Sequence, residues 1–593
     1  MAFMEQLKEV PEAKSAIGAM LRQIGWRKLA VSGMRAAARS RLNREQLRRQ
    51  FIVAFWETLG NREAIITDDR RVTFAQFRSR TLRLADALYG LGVKPGEAVA
   101  ELLYNGAPWF ETMAACTLMG YPMPMLNWHL RPQELADCIN RAEPKVLVFD
   151  SEFLEGINSI RAQLKTVEHF VLVGATRPGV LSYEDLIASS TERLPPGNLD
   201  MAPRAYSGGT TGTPRYINID RERMASTNDD DRRGASKAEL VRLALMQLSA
   251  LHWYKIGDIR DRITHNVRSL IPGPLYHAGV QIGVLPFFFG GTVVPMRKFT
   301  PEGFLEAIQD ERINWTFVAP TMLERVLSLP DSVKEKYDLS SMRSLICAAA
   351  PCPPKVKREI NALFRQQGNP GDVFMEYYGA SETGMISVLV PEDYQADPKR
   401  YESVGKLRAA ECKIYDEASH SWCPPGKEGK VLVRTPMTFA LQYVGLDEET
   451  MRKSYIEIDG KLWYDDGLIG YLCDDGYLYL TSRIKEMIIS GGVNIFPNEI
   501  EDVIKRHSKV LDAAVVRAPD TDLGEVPVAV VQLKDGEQSS ASEIIAHCKQ
   551  EGLYGFKLPK MVDFVEQLPR NLAGKLPKKQ LEEQYWRGLE RHG

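Results

Sequence analysis

Tyr206-Ser207-Gly208-Gly209-Thr210-Thr211-Gly212-Thr213-Pro214-Arg215 is the stretch on which the reading of this 593-residue chain turns. Its glycines let backbone N–H groups approach a phosphate closely, and its Ser and Thr hydroxyls add donors. Arg215 closes it with a forked cation. The Gly-x-x-x-x-Gly-Lys-Ser/Thr spacing of a Walker loop is absent. On either side of this loop the chain alternates between two textures. Residues 98–103 and 146–149 read as largely buried strands, with Glu101 their one charge, and residues 74–91 repeat Phe77, Leu82, Leu84, Ala85 and Leu88 at helical spacing. Residues 64–66 and 71–73 read as a hairpin around Asp68-Asp69, and the alternation resumes at 315–318 and 344–346. Such alternation predicts parallel sheets with crossover helices, an α/β fold.

Composition narrows the function classes. The 75 basic residues nearly balance the 77 acidic ones, so no nucleic-acid partner is implied. At 44% apolar and 26% charged, the chain is neither disordered nor fibrous. The 8 Cys form no CxxC pair and the 9 His no HExxH, so neither a disulfide framework nor an intrinsic zinc site is expected. That points to a reducing, cytoplasmic setting. Residues 269–296 lack a formal charge over a length that could span a bilayer. Pro272, Pro274, Pro286 and Pro295 with five glycines break any such helix, so buried strand–loop–helix is expected. No apolar segment follows the first charges as in a signal peptide.

The first 50 residues instead interleave Arg22, Arg27, Lys28, Arg35, Arg39, Arg41, Arg44, Arg48 and Arg49 with Ile17, Met20, Leu21, Ile24, Trp26, Leu29, Val31 and Met34. One or two helices are expected there. They either lie on an anionic membrane as a peripheral contact or pack on the enzyme with a solvated basic face. The polar run 220–237 reads as a surface insertion.

Two further segments carry chemistry. Tyr377-Tyr378-Gly379-Ala380-Ser381-Glu382-Thr383-Gly384 joins an aromatic, a glycine turn, a hydroxyl and a carboxylate, a set able to stack a base, hold a phosphate and ligate Mg2+. It fails the Gly-x-Ser-x-Gly hydrolase elbow because residue 383 is Thr. Leu568-Pro569-Arg570-Asn571-Leu572-Ala573-Gly574-Lys575 ends in a lysine after a glycine turn, able to reach into a cleft and neutralise developing charge.

In this order and separation the three runs resemble the acyl-activating, adenylate-forming family of acyl-CoA synthetases, adenylation domains and beetle luciferase, over roughly residues 50–585. Ala319-Pro320-Thr321-Met322-Leu323, Pro274-Leu275-Tyr276-His277 and Ser403-Val404-Gly405-Lys406 agree, and the segment from Ser490-Gly491-Gly492 to Glu501 looks most like fatty-acyl and bile-acid-type CoA ligases. The resemblance implies a large N-terminal domain (51–482) of parallel-sheet α/β subdomains with a small β-barrel-like part. It also implies a small mobile α+β C-terminal domain (483–593) hinged at Lys485, preceded by the basic helical extension 1–50.

It further implies ATP, Mg2+ and coenzyme A as reactants with a small carboxylic acid, and is compatible with a homodimer. Ser207, Gly208, Gly209, Thr210, Thr211, Gly212 and Arg215 would hold the β- and γ-phosphates, Tyr378 with Gly379 adenine, and Ser381 the α-phosphate. Glu382 and Thr210 would ligate Mg2+, and Arg483 would touch the ribose. Gly491 and Gly492 would line the pantetheine channel, His277 would stand between acyl pocket and CoA tunnel, and Lys575 would stabilise charge during adenylation.

One departure stands out. The family writes Trp-x-x-Thr-Gly-Asp, whose Asp accepts from both ribose hydroxyls, whereas here Trp463-Tyr464-Asp465-Asp466-Gly467-Leu468 puts Leu468 in that place. Two charge-assisted bonds of about 1.5–3 kcal/mol each are lost unless Asp466 or Asp465 compensates. Arg215, Tyr216 and Ser482 are milder departures. A carrier-protein acyl acceptor, or a protein that binds acyl-nucleotide without turnover, therefore stays open beside the CoA ligase.

Overall fold

The computed structural model describes residues 10–40, 43–200, 203–204, 217–219, 236–255, 266–277, 282–350, 352–380, 382–443, 452–483, 486, 488–490, 493–495, 497–520, 523–570 and 576–587. Three helices lead: α1 (Pro11–Ile24), α2 (Trp26–Ser40) and α3 (Arg44–Leu59). Pro11 opens α1 where its missing N–H costs nothing, and the Asn43 side chain caps α3 by accepting from Glu45 and Gln46 N–H at 3.0 Å each. The expected boundary at residue 50 falls inside α3, because Val53, Phe55, Trp56 and Leu59 of that helix enter the main core. The buried Arg49 guanidinium fastens it there, donating to the Leu118 and Pro195 carbonyls at 2.6 Å each.

Two sheets with parallel cores follow. The smaller joins β1 (Val99–Leu102), β2 (Val146–Asp150), His169–Val173 and Leu181–Ser182, all parallel. The larger is nine-stranded. After helix α4 (Lys237–Trp253), β3 (Arg268–Ile271), β4 (Thr292–Pro295), β5 (Trp315–Val318), β6 (Ser344–Cys347) and β7 (Phe374–Ala380) run parallel within it, and β8 (Gly384–Leu389) turns back antiparallel. The short hairpin Glu63–Ile66 with Arg71–Thr73 forms the opposite edge, as the sequence suggests. Residues buried on both faces fill β3 to β6, the signature of a parallel sheet covered by helices. The described residues of the uncharged stretch 269–296 therefore run from β3 through a turn at 275–277 and a short helix at 285–288 to β4. Among the described residues no helix is long and apolar enough to cross a membrane.

A six-stranded antiparallel sheet follows, centred on Gly429–Arg434, β9 (Lys461–Leu472) and β10 (Leu478–Arg483). Beyond it a separate five-stranded sheet (Ile488–Ser490, Val493–Ile495, Val510–Asp520, Gly524–Leu533, Met561–Val565) closes over its own core of Ile488, Ile500, Val515, Val531 and Ile544. The chain is thus a large α/β N-terminal domain with a smaller C-terminal one. All eight cysteines are free thiols.

Glu101 on β1 is fully buried. Burial pushes its carboxyl well above the usual range, opposed by the Trp109 indole and reinforced by Asp150. A raised carboxyl keeps its full stability only below the unfolded value, and loses it as pH climbs toward the folded one. Glu101→Gln should therefore gain thermal stability over wild type as pH rises above about 4.5, by up to ~1.4 kcal/mol per pH unit. Paired melting curves at acidic and neutral pH test this; a constant difference would count against a neutral Glu101.

Candidate active site

Ligands of open α/β sheets bind beyond the carboxyl ends of the strands, and the described candidates gather at that edge. His277 follows β3, Ala348 and Ala349 follow β6, Tyr378 to Ala380 end β7, and Glu382 lies in the turn after it. The β7–β8 hairpin is built by close approach. A Cβ on Gly379 would lie 2.0 Å from the Gly384 carbonyl oxygen, so nothing larger than glycine fits. Gly384 itself sits at φ +68°, and the Thr383 hydroxyl accepts the Ala380 N–H at 3.0 Å. This turn carries Glu382, half-buried, at the mouth of the edge.

The hairpin is clamped from outside by a residue the sequence did not single out. Gln247 of α4 donates to the Met385 and Ala409 carbonyls at 2.6 and 2.8 Å and accepts the Met385 N–H at 3.2 Å. Nothing local marks it, since a glutamine on an apolar helix reads as surface. Ala349, at φ +76°, is the second feature missed. An alanine held in the left-handed region is strained by about 1–2 kcal/mol, and such strain concentrates at functional sites.

Across the crevice, β9 supplies the expected acidic pair, and its members part company. Asp465 faces Lys430, whose Nζ lies 3.6 Å from Oδ2, and its other oxygen accepts the Gly467 N–H at 2.9 Å. Asp466 faces the other way and accepts the Tyr378 hydroxyl. Of the two candidates for the missing ribose ligand, then, Asp466 touches Tyr378, the expected adenine contact, and Asp465 meets Lys430 and Gly467 instead. Leu468 packs with Tyr378 against Ile386, Cys412, Ile414 and Leu478. Its backbone pairs with Arg483 of β10, placing the expected ribose contact on the adjoining strand. The Tyr276 and His277 rings lie 4.4 Å apart, and Tyr276 meets Trp128 edge-on at 5.8 Å.

Behind the hairpin, Glu376 of β7 is buried in an ion pair with Lys357. Burial raises its carboxyl, with Lys357 opposing. This pair lies within the core. On the small domain, Arg570 donates to Asp512 at 2.7 Å.

Ser207, Gly208, Gly209, Thr210, Thr211, Gly212, Arg215, Ser381, Lys485, Gly491, Gly492 and Lys575 lie outside the described residues, as do 220–235 of the expected insertion. No cluster of three or more His, Cys, Asp or Glu able to hold a metal ion exists among the described residues. Mg2+ is commonly held by one or two carboxylates together with substrate phosphates. Glu382 fits such a role.

Residues 54–443 match the AMP-binding enzyme family and residues 499–575 the AMP-binding enzyme C-terminal domain. The chain is 30% identical to the indoleacetate–CoA ligase of Aromatoleum aromaticum over 87% of its own length and 93% of that protein. It is 28% identical to the fatty acid–[acyl-carrier-protein] ligase ScoC of Streptomyces coeruleorubidus, over 88% and 93% of the two chains. The anthranilate CoA ligase AuaEII, solved with anthranoyl-AMP, superposes with a TM-score of 0.73 at 25% identity, over 90% of this chain and 97% of that one. With both parts of the family matched in order along one chain, this protein belongs to the AMP-binding enzymes.

Proposed function

We propose that the protein is an ATP- and Mg2+-dependent acid–CoA ligase of the cytoplasm, acting on an apolar carboxylic acid, either a fatty acid or a bulky steroid-like one. The observation that carries this reading is the convergence of Tyr378, Asp466 and Glu382 at the carboxyl edge of the large sheet. In the first step the acid's carboxylate oxygen attacks the α-phosphorus of ATP, and pyrophosphate leaves. In the second the CoA sulfur attacks the acyl carbon, its proton is lost, and AMP leaves.

Tyr378 packs on adenine, and Asp466, released from the tyrosine hydroxyl, accepts from the ribose with Arg483 beside it. The loop Ser207 to Gly212 with Arg215 cradles the β- and γ-phosphates, and Ser381 contacts the α-phosphate. Glu382 and Thr210 hold Mg2+, which supplies charge neutralisation at the phosphates. Lys575 of the small domain stabilises charge in the first step. Rotation of residues 483–593 about Lys485 then brings Gly491 and Gly492 to line the thiol's path past His277.

The likeness to the ScoC ligase supports a second acceptor, a carrier protein in place of CoA. Purified protein with ATP, Mg2+, CoA and a panel of acids should release AMP and pyrophosphate and form a thioester. AMP formed only when a phosphopantetheinyl carrier replaces CoA would move the assignment to the second acceptor. No AMP with any acid and either acceptor would end both.

A further inference from the structure

Helix α2 is amphipathic the wrong way round. The stripe it buries against α3 is Ser32, Ala36 and Ser40, with the Ser32 hydroxyl 3.2 Å from that of Thr58. Its opposite side, Ala30, Met34, Ala37 and Ala38, faces solvent, and Met34 is 65% exposed. Sequence periodicity would turn Met34 and Leu21 inward, yet Leu21 of α1 is also 45% exposed. The close approach of α2 to α3 needs small residues, and this fixes which side is left out.

The charge on this helix is equally one-sided. Its sequence, WRKLAVSGMRAAARS, holds Arg27, Lys28, Arg35 and Arg39 and no acid. Arg35 and Arg39 both turn to one carboxylate, Glu57, at 3.4 and 2.8 Å, which leaves a net positive charge. Burial, with repulsion from Arg62, lowers the Lys28 pKa. An exposed apolar stripe flanked by cations matches a surface of acidic headgroups over hydrocarbon. A water-filled surround leaves its apolar side unburied, and a second copy of this helix would bring like charges together.

We propose that the outer side of α2 docks on an anionic lipid bilayer, with Met34 and its neighbouring alanines at the headgroup–acyl boundary and Arg27, Arg35 and Arg39 among the headgroups. The inference is independent of which acid or acceptor the active site uses.

The test is sedimentation of the full chain with vesicles of phosphatidylcholine alone and with phosphatidylglycerol added. Partition should favour the anionic vesicles on the order of 100-fold, about 1 kcal/mol for each of three cations, and fall as salt shortens the screening length. Met34→Glu and, separately, Arg35→Gln should each weaken it several-fold while leaving far-UV circular dichroism unchanged, since both side chains are exposed. Equal partition into both vesicles, no partition, or indifference to Met34→Glu would overturn the proposal. So would a solution mass of two copies that Met34→Glu converts to one, since the face would then belong to a dimer.

Discussion

Glu382→Gln should slow AMP release by roughly 100- to 1000-fold and raise the Mg2+ concentration needed for half-maximal rate. The substitution keeps the side-chain volume at a turn whose backbone is fixed by Gly379, Gly384 and the Thr383 hydroxyl, so the hairpin should survive. What it removes is the anionic charge available to the cation, and a Lewis acid at transferring phosphoryl oxygens is worth several kcal/mol. A Mg2+ titration of both proteins at saturating ATP reads it directly. If the variant matches wild type in rate and in Mg2+ dependence, Glu382 is a turn residue only.

The second large effect runs toward gain. Leu468→Asp should tighten ATP on the order of 100-fold, as two charge-assisted bonds to the ribose hydroxyls would add about 3 kcal/mol even at the low end of their range. Some of that is offset by lost packing of Leu468 against Ile386 and Ile414. Asp466→Asn in the wild-type background should weaken ATP, and in the Leu468→Asp background should matter far less, because the two carboxylates would serve the same hydroxyls. Calorimetry of the four proteins closes the cycle. Additive effects would mean that Asp466 and residue 468 do not share a ligand.

Much of this architecture was legible from residue pattern alone. Apolar runs such as 146–149 and 315–318, the second broken only by Thr316, read as strands buried on both faces, and they are. The hairpin at Asp68-Asp69 followed from turn chemistry. What stayed hidden shares a cause: it depends on partners distant in sequence. Gln247 acquires meaning only when α4 crosses behind residues 385 and 409. The choice between Asp465 and Asp466 depends on which side of β9 meets Tyr378. Met34 is apolar at an apparently inward position, and only the packing of Ser32 and Ala36 on α3 turns it out.

The Arg49 guanidinium has a wider consequence. Because α3 is bolted through it to the Leu118 and Pro195 carbonyls, the leading helices form no detachable appendage. Trimming the chain at residue 50 would cut a helix in mid-course and strand two carbonyl oxygens in the dark of the fold. The helices are therefore tied through α3 to the core of the large domain, and any surface that holds them also influences the compass bearing of that domain.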